Sequence, residues 1–127
     1  MPYQAIWEVS GIYVSYSGQT SDEEVAQFAQ QGQSNEWFTD IRYVLHDFLR
    51  CTGATYSPQQ TEELAAIDSA ASVSNQKIKI AVVTDREDVI AMVNAYLNAG
   101  FDGFVLQVFP SVSLANTWLK RNPNQQV

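Results

Sequence analysis

The segment Ile41-Arg42-Tyr43-Val44-Leu45-His46-Asp47-Phe48 decides the fold class of this chain. Its nearly continuous apolar and β-prone character is typical of a strand that lies inside a sheet. A polar loop follows, and Ser57-Pro58-Gln59-Gln60 then has the serine cap and early proline of a helix start. A buried strand followed by a helix is the repeating unit of α/β domains. Asp47 is near the end of this strand, where open α/β sheets place their sites.

The residues before this segment predict a β-ribbon and one helix. Ala5–Glu8 and Ile12–Ser17 are short β-prone segments, and Gly11 between them supplies a permissive turn position. Ser21 is followed three residues later by a glutamate, which is the pattern of a capping box. We therefore expect a helix that begins after Ser21 and ends at Gly32.

The residues after it predict three further helices and two further strands. In chain order these are a helix over Ser57–Ala71, a strand over Ile78–Thr84, a helix from the Asp85 cap to Gly100, a strand over Phe104–Phe109, and a helix from Pro110-Ser111 to Pro123. No linker or repeat divides the chain, so residues 1–127 are expected to form a single domain. The predicted order is β-β-α-β-α-β-α-β-α, with an N-terminal β-hairpin and a mixed, mostly parallel sheet.

Composition narrows the classes of function. The 127 residues include fourteen acidic and seven basic ones, a net charge of -7, which repels nucleic-acid backbones. No apolar run approaches the roughly 20 residues of a membrane span. The segment Met1–Gly11 does not resemble a signal peptide, and the lone Cys51 cannot form an internal disulfide. We therefore expect a cytoplasmic protein with no transmembrane segment and no nucleic-acid partner.

Four segments of the chain resemble the SpoIIAA-like proteins, relatives of the STAS domain of anti-sigma-factor antagonists. They are Arg42-Tyr43-Val44-Leu45-His46-Asp47-Phe48, Leu64-Ala65-Ala66-Ile67-Asp68, Lys79-Ile80-Ala81-Val82-Val83, and Val108-Phe109-Pro110 with Ala115-Asn116-Thr117-Trp118-Leu119. The likeness extends from about Ile12 to Leu119 and is one of strand and helix texture. It implies an α/β STAS-like domain that regulates or binds and has no catalytic role. In classical members it also implies a phosphorylatable serine at the start of the helix after the third strand.

Ser57 is the residue of this chain at that position. The classical members carry Asp-Ser-Ser-Gly there, whereas this chain has Thr55-Tyr56-Ser57-Pro58. A helix N terminus favours a phosphate, because its free N–H groups point toward the group. Serine is also a common helix cap that contributes about 1 kcal/mol. Ser57 is thus a phosphorylation candidate, and the cap is the simpler interpretation.

No other residue pattern predicts catalysis, a cofactor or a metal. His46, the only histidine, is expected to be a hydrogen-bonded core residue, and Cys51 an incidental thiol. An alternative is an enzyme with an acidic site around Asp47 and Asp85. A carboxylate with a strongly raised pKa inside a closed cleft would distinguish that alternative from a binding domain.

Trp37, Phe38 and Trp118 are the candidate ligand-binding residues. Ordinary packing is the simpler explanation of these aromatic side chains, and a pocket for an amphipathic molecule or a membrane-contacting patch is the alternative. The sequence thus favours a non-catalytic regulatory or binding module. Its expected partner is a protein or a small amphipathic, lipid-like ligand, with peripheral membrane contact as a further option. A phospho-switched antagonist that uses Ser57 is the alternative, and the oligomeric state is left open.

Overall fold

The chain forms one five-stranded sheet in which the strands follow each other in chain order. The computed structural model describes residues 3–75, 77–99 and 103–122. Strand β1 pairs antiparallel with β2, and β2 through β5 are mutually parallel, which confirms the mixed, mostly parallel sheet of an α/β domain. The strands are β1 (Tyr3–Trp7), β2 (Gly11–Ser21), β3 (Tyr43–Thr55), β4 (Lys79–Val83) and β5 (Val105–Phe109).

Four α-helices cover the two faces of the sheet unequally. Three of them pack on one side, here called the first face, and α4 packs on the opposite side, the second face. A short 3-10 turn over Phe38–Asp40 precedes β3. The helices are α1 (Asp22–Gln33), α2 (Pro58–Ser72), α3 (Glu87–Asn98) and α4 (Val112–Leu119).

Alternation along β3 determines which residues face which helices. Val44 and Phe48 belong to the core cluster of the first face, and His46 lies between them on the same side. Tyr43 and Leu45 belong to the cluster of the second face, with Ala115 and Leu119 of α4. Because both sides of β3 are buried, its sequence is nearly continuous in apolar residues rather than alternating.

Strands β2 and β3 are much longer than the sequence predicts. We expected them to end at Ser17 and Phe48, but their parallel pairing continues as far as Ser21 opposite Thr55. Irregular register near Ser17 and Gly18 accompanies this extension. Beyond the end of β4, the backbone N–H of Ala54 donates instead to Asp88 Oδ2 of α3, at 3.0 Å. The polar segment that was interpreted as a loop is therefore a strand whose free edge is partly capped by a helix.

The helix boundaries agree with the sequence in part. Ser21, Ser57 and Ser111 cap α1, α2 and α4 as expected, although the Ser21 side chain makes no capping hydrogen bond. Helix α3 begins after Arg86 rather than at Asp85. Gly32 lies inside α1, where a Cβ atom would make ordinary contacts with Phe28 and Ile12, and does not end the helix. The expected helix ends at Gly100 and Pro123 fall outside the described residues.

The turn between β1 and β2 needs glycine for space. A Cβ atom at Gly11 would lie 2.4 Å from ring atoms of Tyr43, so any side chain there would clash with β3. Glu8, beside this turn, forms a buried ion pair with Arg121, which follows α4 (Nη2–Oε2 2.7 Å). Tyr43 donates a hydrogen bond to the same carboxylate. The pair thereby fastens the end of α4 to the β1–β2 turn.

Burial predicts very different effects of truncation at two positions of the sheet. Leu45→Ala should lower the free energy of unfolding by about 2 to 5 kcal/mol, because Leu45 is fully buried and its loss leaves a cavity. Val105→Ala is the control in β5 and should lower it by less than about 1 kcal/mol, because Val105 is 58% exposed. Urea titrations of both variants measure the difference. Equal effects would contradict the assignment of Leu45 to the core.

Candidate functional site

Two adjoining cavities lie between the helices of the first face and the sheet. The first, the Phe48 cavity, measures about 50 Å³ and extends toward the C-terminal ends of β3 and β4. The second, the Phe38 cavity, measures about 40 Å³ and extends toward their N-terminal ends. Cavities larger than a water molecule are few in well-packed domains. The linings of the two cavities share four residues, Val25, His46, Asp68 and Ile80.

His46 is held rigidly between aromatic rings at the junction of the cavities. Its Nδ1 lies 3.0 Å from the hydroxyl of Tyr16 in β2. Its ring lies roughly parallel to that of Phe48, at 22°, and meets the edge of Phe28 at 88°. Burial lowers the pKa of His46 to about 4, so the ring is neutral at pH 7. The prediction of a hydrogen-bonded core histidine is confirmed, with Tyr16 as its partner.

Asp68 is the polar residue that links all three helices of the first face. It projects from α2, and its Oδ1 accepts a hydrogen bond from Gln33 Nε2 of α1 at 2.8 Å. Its Oδ2 accepts from the hydroxyl of Tyr96 of α3 at 2.6 Å. Burial raises the pKa of Asp68 to about 6, although both hydrogen bonds favour the charged form.

Asp47 and Asp85, the two carboxylates of the acidic site that the sequence suggests, do not border the two cavities. Asp47 is buried on the second face, where Oδ2 accepts from the hydroxyl of Tyr13 and Oδ1 accepts from the Leu49 backbone. Asp85 is exposed, before α3. Because β3 continues to Thr55, Asp47 lies within the strand and not at its end. The buried carboxyl group with a raised pKa beside the cavities is instead Asp68.

The structure does not bring the three candidate aromatic residues together. Phe38 is buried in the core of the first face and borders the Phe38 cavity. Trp37 beside it is 45% exposed and meets the ring of Trp7 edge-on at 6.4 Å. Trp118 lies on the second face, against Phe109 and beneath the Lys79 ammonium group. A single pocket formed by Trp37, Phe38 and Trp118 is therefore not present.

Ser57 acts as the cap of α2, beside a buried carboxylate. Its Oγ accepts the backbone N–H of Gln60 at 3.1 Å. The reciprocal half of the capping box is replaced by Asp22, whose Oδ2 accepts from the Ser57 backbone N–H at 3.2 Å and from Thr61 Oγ1 at 3.0 Å. Asp22 therefore already supplies negative charge at this helix N terminus, where a phosphate on Ser57 would be repelled.

The remaining polar side chains do not form a nucleophile or metal site in the described ranges. Cys51 is buried 3.0 Å from Thr20 Oγ1, and burial raises the pKa of its thiol. Within residues 3–75, 77–99 and 103–122, no three His, Cys, Asp or Glu side chains are arranged to hold a metal ion. None of the helices in these ranges has the length and apolar character needed to cross a bilayer.

Sequence reasoning did not identify Asp68, Tyr96 and Gln33 as polar residues that border the cavities, or Tyr16 as the hydrogen-bond partner of His46. One signal was available for Asp68, because it follows Leu64 by four residues and so lies on the buried side of α2. An acidic residue on such a stripe requires a partner. The identity of its partners depends on how α1 and α3 pack beside α2, which periodicity does not reveal.

Comparisons with known proteins supply no relative. No family model matches the chain, and neither the curated proteins nor the solved structures give a match.

The contact between Asp22 and Ser57 predicts how a negative charge at position 57 changes the stability of the protein. Ser57→Asn should retain the stability of the wild type, whereas Ser57→Ala should lose about 1 kcal/mol. Ser57→Asp should also be destabilised, although aspartate is a good cap, because a second carboxylate would face Asp22. Adding Asp22→Asn should restore most of that loss. Thermal unfolding of the four variants tests this, and a fully stable Ser57→Asp would show that Asp22 exerts no repulsion there.

The shifted pKa values of Asp68 and His46 predict opposite effects of pH on stability. For Asp68, with a pKa of about 6 in the folded state, stability is lost as the pH rises toward 6. For His46, with a pKa of about 4, stability is lost as the pH falls below 6.5. Each effect amounts to about 1 to 2 kcal/mol between pH 5 and 7, so the two largely cancel.

Separate replacements should reveal both effects. Relative to the wild type, Asp68→Asn should become less stable on going from pH 7 to pH 5, since only the His46 effect remains. His46→Gln should become more stable over the same interval, and the double variant should again follow the wild type. Urea unfolding at several pH values measures the differences. Parallel pH profiles for all four proteins would contradict the two shifted pKa values.

Proposed function

We propose that this chain is a non-catalytic binding module that holds a small amphipathic ligand between the helices of the first face and the sheet. The observation that carries the proposal is the pair of adjoining cavities with His46 and Asp68 at their shared border. A largely apolar pocket with a few convergent polar groups is the usual form of a small-molecule site. The resemblance to STAS-like domains supports a regulatory role for such binding.

The sizes of the cavities set the manner of binding. A water molecule occupies roughly 10 to 15 Å³ by this measure, so each cavity alone has room for a few waters. A hydrocarbon chain of about six carbons needs both cavities, and Val25 and Ile80 border both. The flexible side chain of Met92 lines the Phe48 cavity and offers a means of enlarging it.

The absence of catalysis is part of the proposal. Asp68 has the raised pKa expected of a general acid or base, but each of its oxygens already accepts a hydrogen bond, from Gln33 and from Tyr96. Such a carboxyl group is better suited to hold helices together than to exchange protons with a substrate. This arrangement supports binding rather than proton transfer at Asp68.

A protein partner is the second candidate, supported by the edge of the sheet. Among the described residues, strand β5 has one side that pairs with no other strand. It carries no charged residue, and Val105 and Val108 are exposed on it. Such an edge accepts an extended segment of another protein as an additional strand. The net charge of -7 favours a segment rich in lysine or arginine. Peripheral membrane contact through Trp37 has less support, because the same charge repels anionic headgroups.

Titration with 1-hexanol tests the proposed cavity site. The alcohol should bind saturably and shift the methyl NMR signals of Val25, Val82 and Val93, which border the cavities. Val82→Ile adds a methyl group to the wall of the Phe48 cavity and should weaken binding by about tenfold or more. The same replacement at exposed Val105 is the matched control and should leave the affinity unchanged.

Two results would overturn the proposal. One is the lack of any saturable shift in the wild type up to the solubility limit of the alcohol. The other is equal affinity of the wild type and of a folded Val82→Ile variant, which would place the bound alcohol outside the cavities. In either case the unpaired edge of β5 becomes the leading site, and partner binding would have to be sought there.

A further inference from the structure

One polar side chain that borders both cavities belongs to the single histidine of the chain. His46 is about nine-tenths buried and borders both cavities. Tyr16 engages Nδ1, and among the described residues no side chain or backbone group makes a hydrogen bond to Nε2. A ring nitrogen without a hydrogen-bond partner, on a residue that lines a cavity, favours a ligand atom that completes its hydrogen bond.

The surroundings of His46 fix the position of that nitrogen. The Tyr16 ring stacks on Phe48 at 4.4 Å and 4°, and its hydroxyl meets Nδ1 of the histidine. Phe28 contacts the imidazole edge-on, with ring centroids 5.5 Å apart. A ligand therefore meets an oriented hydrogen-bonding group that needs no rearrangement, which lowers the entropic loss on binding.

The charges of the residues that line the cavities restrict which polar group a ligand can carry. None of the described residues that border the two cavities is a lysine or an arginine. Two acidic residues do border them: Asp22 lines the Phe48 cavity, and Asp68 lines both. A ligand carboxylate or phosphate would enter an apolar space without a counter-ion and beside acidic groups, which is strongly unfavourable. Neutral His46 supplies no positive charge either.

The hydrogen-bonding properties of the imidazole narrow the choice further. If Tyr16 donates to Nδ1, Nε2 carries the proton and donates, and if Nδ1 donates to Tyr16, Nε2 accepts. A hydroxyl group satisfies either tautomer, because it both donates and accepts. A carbonyl group satisfies only the first, and an ammonium group only the second.

We propose, on the basis of the binding function argued above, that the cavities select a neutral amphiphile with a hydroxyl group, an alcohol or phenol, whose oxygen forms a hydrogen bond with Nε2 of His46. The apolar part of the ligand lies along Ile80 and Val82. Acidic lipids such as free fatty acids are excluded. His46 is thereby a specificity residue, and the apolar walls supply most of the affinity.

Three probes with the same carbon chain test this specificity: 1-hexanol, 1-chlorohexane and hexanoate. At pH 7.5 hexanoate should bind the wild type at least tenfold more weakly than 1-hexanol. His46→Phe should weaken 1-hexanol about tenfold and leave the affinity for 1-chlorohexane within about twofold, since the latter makes no hydrogen bond. Tyr16→Phe, which frees Nδ1, is a second variant and should affect the alcohol alone.

A measurement on the wild type avoids dependence on the folding of the variants. Because the chain has one histidine, labelling with ¹⁵N-histidine gives a single pair of ring signals. Saturation with 1-hexanol should shift the Nε2 signal by several ppm, and saturation with 1-chlorohexane should shift it much less.

The outcomes separate this inference from the function on which it rests. If the alcohol and the chloride both bind but give equal Nε2 shifts, or if hexanoate binds as tightly as the alcohol, the hydroxyl specificity is wrong while the cavity remains a binding site. If neither neutral probe binds saturably, the binding function itself fails. A selective alcohol response in both the Nε2 signal and the His46→Phe variant would establish the inference.

Discussion

The carboxyl group of Asp68 is the constraint on which the arrangement of the first face depends. One oxygen receives the Gln33 amide of α1 and the other receives the Tyr96 hydroxyl of α3, so a single side chain of α2 sets the spacing of three helices. The two cavities lie beneath this layer, and Asp68 borders both of them. The same burial raises the pKa of Asp68 to about 6, well above that of an ordinary aspartate. Support of the helices and polarity of the cavity are thus properties of one residue.

The second face differs from the first, because its central feature is a buried ion pair and not a cavity. Glu8 and Arg121 are both buried and form two hydrogen bonds, at 2.8 and 2.7 Å, while Asn116 accepts a further one from the guanidinium group. The Arg121 guanidinium also lies over the ring of Tyr13, 4.9 Å from its centroid. Loss of either partner would leave a buried charge unpaired, which is far more destabilising than loss of an exposed ion pair. This network explains why the short α4 remains fixed on a sheet otherwise covered by helices only on its other side.

The sequence was sufficient to predict most of the elements but only part of the site. The apolar run of β3 and the serine caps of α2 and α4 carry local information, and those elements were predicted close to their observed positions. The second half of β3 was missed, because Arg50 and Thr52 alternate with Cys51 and Gly53 in a pattern poor in β-branched apolar residues. The burial of His46 followed from its neighbours, whereas Tyr16 lies thirty positions away. Trp37 and Trp118 were grouped by chemistry alone, although strand alternation and the position of α4 place them on opposite sides.

The order of the strands bears on how the chain acquires its structure. In the sheet β1-β2-β3-β4-β5 each strand pairs with the one made just before it, so no strand waits for a later partner. A chain of this kind can fold from its N terminus while the ribosome is still adding residues, one strand and one helix at a time. The ion pair between Glu8 and Arg121 spans 113 positions and is the exception. It can form only after Arg121 has been added, later than all five strands and the four helices, so this ion pair would form on the second face after the cavities of the first face already exist.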